Sequence, residues 1–280
     1  MIKSFPKLLT IQDISCVGQC SMTVALPILS ACGVETCALP TAVLSNHTAF
    51  SDFTCHDLTD ELPVISRCWK NQDEEFLFDA FYTGYLGSEK LIHITADIIK
   101  AHSKSHSLFF FDPAMADNGK LYPAFDMQYA EAMKTLCSSA DAILPNLTEA
   151  CLLTDTPYPE TYNQNFISKL VDKLHTAGVQ IVILTGISYA PGYTGVVVSD
   201  RGNMQYYQHK KLPHGSHGTG DVYASAFIGA CLHGKNIYQA CKIAANFVVA
   251  CLENTIDDPS HWYGVRFEPM IPSLIRAIEE

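Results

Sequence analysis

The sequence predicts an α/β fold in which a doubly wound, mostly parallel central sheet is flanked by helices. Short apolar runs of strand length alternate with longer segments of helical periodicity, the sequence form of repeated βαβ units. The runs are apolar nearly throughout, as strands covered on both faces are. Length permits one large domain or two smaller ones; with 280 residues, 48% hydrophobic content and no Pro/Gly/Ser-rich linker, residues 1–280 are read as one domain.

The elements follow in order. Expected strands are Leu8 to Gln12, Val34 to Val43, Phe78 to Thr83, Leu108 to Asp112, Ala142 to Leu144 and Ile181 to Thr185. A last pair, Gly195 to Ser199 and Met204 to His209, reads as a hairpin because Arg201-Gly202-Asn203 supplies turn chemistry between them. Helical patterns cover Ser21 to Cys32, Ser88 to Ala101, Phe125 to Cys137, Gln164 to Ala177, Asp221 to His233 and Asn236 to Cys251. Pro27 should kink the first, since it removes a backbone donor and crowds the preceding turn.

Composition excludes several partners. A formal charge of −11 with no basic cluster argues against nucleic acid and against an anionic membrane surface. No apolar run reaches the ~18 residues of a membrane span. Eleven cysteines lack zinc-ribbon spacing, and Met1 to Lys7 has no apolar signal region, so a reduced, cytoplasmic protein is expected. Cys32, Cys151, Cys231, Cys241 and Cys251 sit in apolar helical patterns and read as core packing.

The most informative stretch runs from His214 to Phe227, where small residues lead into an apolar helix with Asp221 at its start. Gly218 and Gly220 allow close backbone approach to a ligand, and the free amides of Gly218, Thr219 and Gly220, with the helix dipole, favour an anion. A carboxylate there would repel a phosphate. It is therefore read either as a base for a hydroxyl that attacks phosphorus or as an ordinary first-turn cap.

Other polar motifs fall at the same end of the predicted sheet. Asp13, Ser45 to Thr48, Gly84-Tyr85, Asp112, Asn146 and Thr185-Gly186 each follow a strand. Ligands of doubly wound sheets bind outside the carboxyl ends of strands, so these residues can share one crevice.

Six segments in order carry a resemblance: Leu9-Thr10-Ile11-Gln12 with the Gly18 loop, Ser45-Asn46-His47-Thr48, Thr83 to Ser88, Phe111-Asp112-Pro113-Ala114-Met115, Pro145-Asn146-Leu147-Thr148-Glu149 and the Gly218-Thr219-Gly220-Asp221 turn. Together they resemble the ribokinase superfamily and, within it, pyridoxal kinases; only the C-terminal tail lacks a counterpart. The resemblance implies a ribokinase-like fold and ATP-dependent phosphorylation of the 5′-hydroxyl of a vitamin B6 vitamer, with magnesium. It further implies Asp221 as base and the Gly218–Gly220 amides as anion hole. Asp13, Ser45, His47, Thr48 and Tyr85 would meet the substrate, and Asp112, Asn146, Glu149, Thr185 and Gly186 the nucleotide. Glu149 and Asp112 would hold the metal through water; helix capping is the other reading of Asn146 and Glu149. Ala116 to Lys120 corresponds to an active-site flap, and a homodimer is expected by analogy.

Two departures matter. Asp13 stands where pyridoxal kinases commonly have serine, and a carboxylate favours a cationic partner, which points to pyridoxamine beside pyridoxal and pyridoxine; an Asx-turn is its other reading. Leu144 replaces a threonine found in many pyridoxal kinases, which weakens the case for a monovalent cation. The alternatives are hydroxymethylpyrimidine kinase and a non-catalytic vitamer-binding protein. His214 and His217 read as loop histidines near a nucleotide, His102 and His106 as a solvated helix end, and Asp73-Glu74-Glu75 as an exposed charge run. Leu212-Pro213 and the helix Asn236 to Cys251 are candidate adenine walls.

Overall fold

The structure, a computed structural model, describes residues 5–72, 76–212 and 217–280. The chain runs β1 (Lys7–Ser15), α1 (Met22–Ala31), β2 (Glu35–Leu44), β3 (Cys55–Asp57), α2 (Leu62–Lys70), β4 (Phe78–Thr83), α3 (Glu89–His102) and β5 (Ser103–Phe111). Next come β6 (Ala116–Asp117), β7 (Lys120–Leu121), α4 (Met127–Cys137), β8 (Ala142–Ile143), α5 (Leu147–Leu153) and α6 (Gln164–Thr176). The hairpin strands β10 (Tyr193–Asp200) and β11 (Asn203–Lys210) follow β9 (Ile181–Ile187), and α7 (Thr219–Leu232), α8 (Ile237–Glu253) and α9 (Ile271–Glu279) close the chain.

One sheet has the order β11-β10-β9-β8-β5-β4-β1-β2-β3. From β9 to β2 every pairing is parallel, and β3, β10 and β11 add antiparallel edges. The chain leaves β1 toward β2 on one side and later returns to β4 on the other. The winding therefore reverses between β1 and β4, the place where such sheets open a ligand crevice. Strand alternation divides the core: along β5, Phe109 and Phe111 join the layer of α2 to α6, while Phe110 joins that of α1, α7, α8 and α9. Helix α7 is apolar all round because it is buried from Val222 to Ala230.

The predicted architecture is met, with corrections. His102 is not solvated: it is buried, with Nδ1 2.8 Å from the Phe76 carbonyl and Nε2 2.8 Å from Ser66 Oγ. His106 is exposed. Pro27 lies inside α1, as expected. The segment expected as a flap, Ala116 to Lys120, lies in a small hairpin in which Asp117 pairs with Lys120. Elements absent from the sequence reading are β3, whose three residues are all exposed and so show no alternation, α2, the short α5, and α9. Helix α9 had a usable signal in Ile271, Leu274, Ile275 and Ile278, spaced for one helical face. Asp73-Glu74-Glu75, His214 and Pro213 lie outside the described residues.

Candidate active site

The site grows from the carboxyl ends of β1, β4 and β5. Asp13 sits where β1 changes register against β2: Gln12 pairs with Pro40 and Ile14 with Val43. Burial raises its carboxyl above the usual range, against the Ser21 and Ser15 hydroxyls that favour its charge. Asp221 lies in the first turn of α7, behind an N-cap glycine, Gly218, at φ 79°. The residue is partly buried. Burial pushes its carboxyl up to about 6; the backbone amide of Ser21 opposes the shift and the Asp13 charge adds to it. Ser21 adopts φ 48°, a left-handed conformation unusual for a side-chain-bearing residue, at the N-cap of α1.

Asp112 follows β5 and donates its amide to the Thr83 carbonyl at 2.9 Å. Burial, then the Glu149 and Asp221 carboxylates, push it well above the carboxylate range. Glu149 is 3% exposed, and burial raises it to about 8 although the amides of Asn146, Met115 and Ala116 favour its charge. Carboxylates that suppress one another's ionisation are a fitting environment for a cation, and hard oxygen donors suit magnesium. Among the described residues no three His, Cys, Asp or Glu side chains are close enough to hold an ion directly. A metal here would rely on water and ligand oxygens.

Asn146 and Glu149 form a complete capping box on α5: Asn146 Oδ1 accepts from the Glu149 amide at 3.0 Å, and Glu149 Oε2 from the Asn146 amide at 2.9 Å. The capping expectation thus holds in full. The same helix end holds the β6–β7 hairpin, since Asn146 Nδ2 donates to the Ala116 carbonyl at 2.7 Å and the Gly119 amide donates to Thr148 Oγ1 at 2.9 Å. Thr148 is a contact that sequence reasoning missed, although its motif was in view.

On the substrate side, Tyr85 leans on Phe125, ring centroids 5.3 Å apart, and Phe125 stacks on Tyr129. Burial and then the Asp13 charge raise the Tyr85 phenol, and the pairing of Ile11 on β1 with Thr83 on β4 sets Asp13 and Tyr85 at adjoining strand ends. His47 Nδ1 accepts from the Ala49 amide at 3.0 Å, which leaves Nε2 to carry the proton of the neutral ring. Its ring lies 5.0 Å from that of His217, and burial, then His217, lower its pKa. Ser45 Oγ accepts from the Thr54 amide at 2.9 Å and donates to Asn46 Oδ1, while Thr48 is exposed on the same loop. Thr185 and Gly186 lie within β9 where its pairing with β10 shifts, and Thr185 bridges to Asn146.

The structure therefore gathers Asp13, Tyr85, Asp112, Glu149 and Asp221 into one electrostatic set, with His47 beside the glycine turn. Sequence reading missed Ser21, because nothing local to Cys20-Ser21-Met22 announces an amide aimed at a residue 200 positions away. In the Gly18 loop, Cys16 is exposed, whereas Cys20 is buried and its thiol is pushed up to about 12 by burial and then by Asp221. Leu212 is partly buried, and α8 carries both buried and exposed positions, neither of which identifies an adenine wall.

Comparison with known proteins adds to this geometry. A family model described as phosphomethylpyrimidine kinase matches residues 26–264. A pyridoxal kinase of Dictyostelium discoideum is 28% identical over 239 residues, covering 80% of this chain and 78% of that protein. A crystal structure from Bacteroides thetaiotaomicron, provisionally named a phosphomethylpyrimidine kinase and containing pyridoxal, superposes with TM-score 0.90 at 36% identity, covering 97% of this chain and 96% of the other. A pyridoxal kinase from Lactobacillus plantarum gives TM-score 0.90 at 30% identity over 99% of each chain. These agree with the family resemblance carried by the six motifs.

Proposed function

The chain belongs to the phosphomethylpyrimidine kinase family, and on that premise we propose that it is an ATP-dependent kinase acting on the 5′-hydroxyl of a vitamin B6 vitamer. The reading is carried by Asp13 and Tyr85 standing at the adjoining carboxyl ends of the paired strands β1 and β4, with Asp221 in the first turn of α7 raised in part by the Asp13 charge. Tyr85 supplies an aromatic wall for a heteroaromatic ring, and Asp13 a counter-charge for a cationic ring nitrogen or amine. Ser45, His47 and Thr48 close the pocket from the neighbouring loop.

Asp221 accepts the proton of the substrate hydroxyl as its oxygen attacks the terminal phosphorus of ATP and ADP leaves. The amides of Gly218, Thr219 and Gly220 stabilise charge on the transferred group, since positioning and electrostatics dominate such transfers. Thr185 and Gly186 meet the nucleotide phosphates, and Asn146 and Glu149 orient them from the α5 cap. Asp112, with Glu149, would hold hydrated magnesium, which when bound neutralises phosphate charge. A side-chain ligand for a monovalent cation is missing at Leu144. Residues 1–280 act as one kinase domain, and the enzyme works as a cytoplasmic homodimer. Among the described residues no helix is long and apolar enough to cross a membrane.

Hydroxymethylpyrimidine kinase is the second reading, favoured by the description of the matching family. An assay of ADP release with pyridoxal, pyridoxamine, pyridoxine and hydroxymethylpyrimidine separates the two. Release with the vitamers is expected. Turnover of the pyrimidine alone would overturn the vitamer reading, and vitamer binding without ADP release would indicate a carrier.

A further inference from the structure

The C-terminal segment, which carries none of the family motifs, reaches the phosphoryl-transfer turn through Gln19, whose side chain meets the tail and whose backbone meets the turn. Its backbone carbonyl packs so closely on Gly218 that a Cβ there would overlap it. Its side chain is held from the other direction. Gln19 Nε2 donates to Glu268 Oε1 at 2.5 Å, and Gln19 Oε1 lies 2.7 Å from His261 Nε2. The orientation is determined by chemistry: a carboxylate only accepts, so the amide nitrogen must face Glu268, and His261 must donate from Nε2. Gly264 completes the seat, since a Cβ there would lie 2.5 Å from Gln19 Cβ.

The segment is itself anchored. Val265 and Phe267 are buried in the core, and the Arg266 amide donates to Thr255 Oγ1 at 2.9 Å. It also reaches the substrate loop, where Trp262 packs on Phe50 with centroids 4.6 Å apart. Gln19 thus lies between this anchored tail and the N-cap of α7, whose carbonyl accepts from the Val222 amide at 3.0 Å.

We propose that Gln19 is a positioning residue, and that the Glu268–Gln19–His261 chain sets the Gly218 turn in the conformation that phosphoryl transfer requires. The catalytic part of this inference rests on the kinase reading above; the brace itself does not. The test is amide hydrogen exchange of Val222, with Phe227 in the same helix as reference, in Gln19→Ala, Glu268→Ala and Glu268→Gln, beside vitamer kinetics. Loss of a hydrogen bond to a carboxylate should speed Val222 exchange about tenfold in the two alanine variants and leave Phe227 unchanged. Glu268→Gln, which still offers an accepting oxygen, should stay near wild type.

The same alanine variants should lose about tenfold in kcat at constant vitamer KM, because the turn rather than the ring pocket has moved. Unchanged Val222 exchange, or equal acceleration at Phe227, would overturn the brace. Faster exchange at Val222 with kcat intact would overturn its catalytic role. If the wild-type protein phosphorylates no vitamer, the exchange data still decide the brace, so failure of the substrate reading is distinguishable.

Discussion

Glu149 accepts a hydrogen bond from the Met115 backbone amide at 3.1 Å, while its second oxygen caps Asn146 at 2.9 Å. One buried carboxylate therefore ties the start of α5 to the flap hairpin. Its structural and metal-related roles become separable by substitution.

Glu149→Gln leaves one of these two amides without an acceptor, because an amide nitrogen cannot accept. Because burial raises Glu149 to about 8, its replacement also relieves a burial cost, so the lost acceptor is read locally, as faster hydrogen exchange of the Met115 or Asn146 amide in metal-free buffer. The variant should also need more magnesium for half-maximal rate, since a neutral amide attracts the hydrated ion less than a carboxylate does. Faster exchange with an unchanged magnesium titration would make Glu149 an anchor of the β6–β7 hairpin alone.

Asp221 sets a pH dependence in two observables. Its folded pKa of about 6 lies above the ordinary value of 3.8, so the native state binds the proton more tightly than the unfolded chain. This contribution to stability declines as pH rises from about 3.8 to about 6 and reaches its full cost above that. Asp221→Asn should accordingly be more stable than wild type at pH 7, by at most about 3 kcal/mol from a shift of about two units. Its turnover should fall by roughly 10² to 10⁴, the range for a positioned base. The wild-type rate should have an acid limb near pH 6 in kcat/KM. Near-normal turnover in Asp221→Asn would remove it from the mechanism.

Gly218 and Gly220 are predicted to fail differently. At Gly218, φ is 79° and a Cβ would overlap the Gln19 carbonyl, so Gly218→Ala should cost about 1–3 kcal/mol of stability together with activity. At Gly220 a Cβ meets no atom within 4 Å, and alanine suits a helical position better than glycine. Gly220→Ala should therefore keep or raise Tm while lowering turnover, if a phosphate approaches that backbone. Full activity in a well-folded Gly220→Ala would place the anion elsewhere.

Asp13→Ser tests the substrate charge. A charge-assisted hydrogen bond is worth about 1.5–3 kcal/mol, so the pyridoxamine to pyridoxal ratio of kcat/KM should fall tenfold or more. Equal losses for both vitamers would mean that Asp13 only shapes the loop or meets a shared ring feature.

Much of the site was legible because its residues are tied to local structure. Asp112, Asn146 and the Gly218 turn all sit at junctions of apolar periodicity with turn chemistry, and such junctions are visible one segment at a time. Ser21 and Gln19 were not legible for the opposite reason. Their partners, Asp221, Glu268 and His261, stand about 200 to 250 positions away in the chain, and no local pattern encodes that pairing. His102 shows the same limit from the other side: a polar residue at a helix end reads as solvated until Ser66 and the Phe76 carbonyl are brought around it.

By itself the sequence determined the α/β class, the order of the principal strands and helices, and the placement of the acidic and glycine-rich motifs at strand ends. Periodicity and turn chemistry are properties of neighbouring residues, so they survive without a third dimension. Only the tertiary structure decided that Asn146 and Glu149 close a capping box that also holds the flap, that crowded carboxylates raise one another's proton affinity, and that the tail braces Gly218 through Gln19. Those outcomes depend on burial and on distances between segments far apart in the chain, which arise only once the sheet has closed around its core.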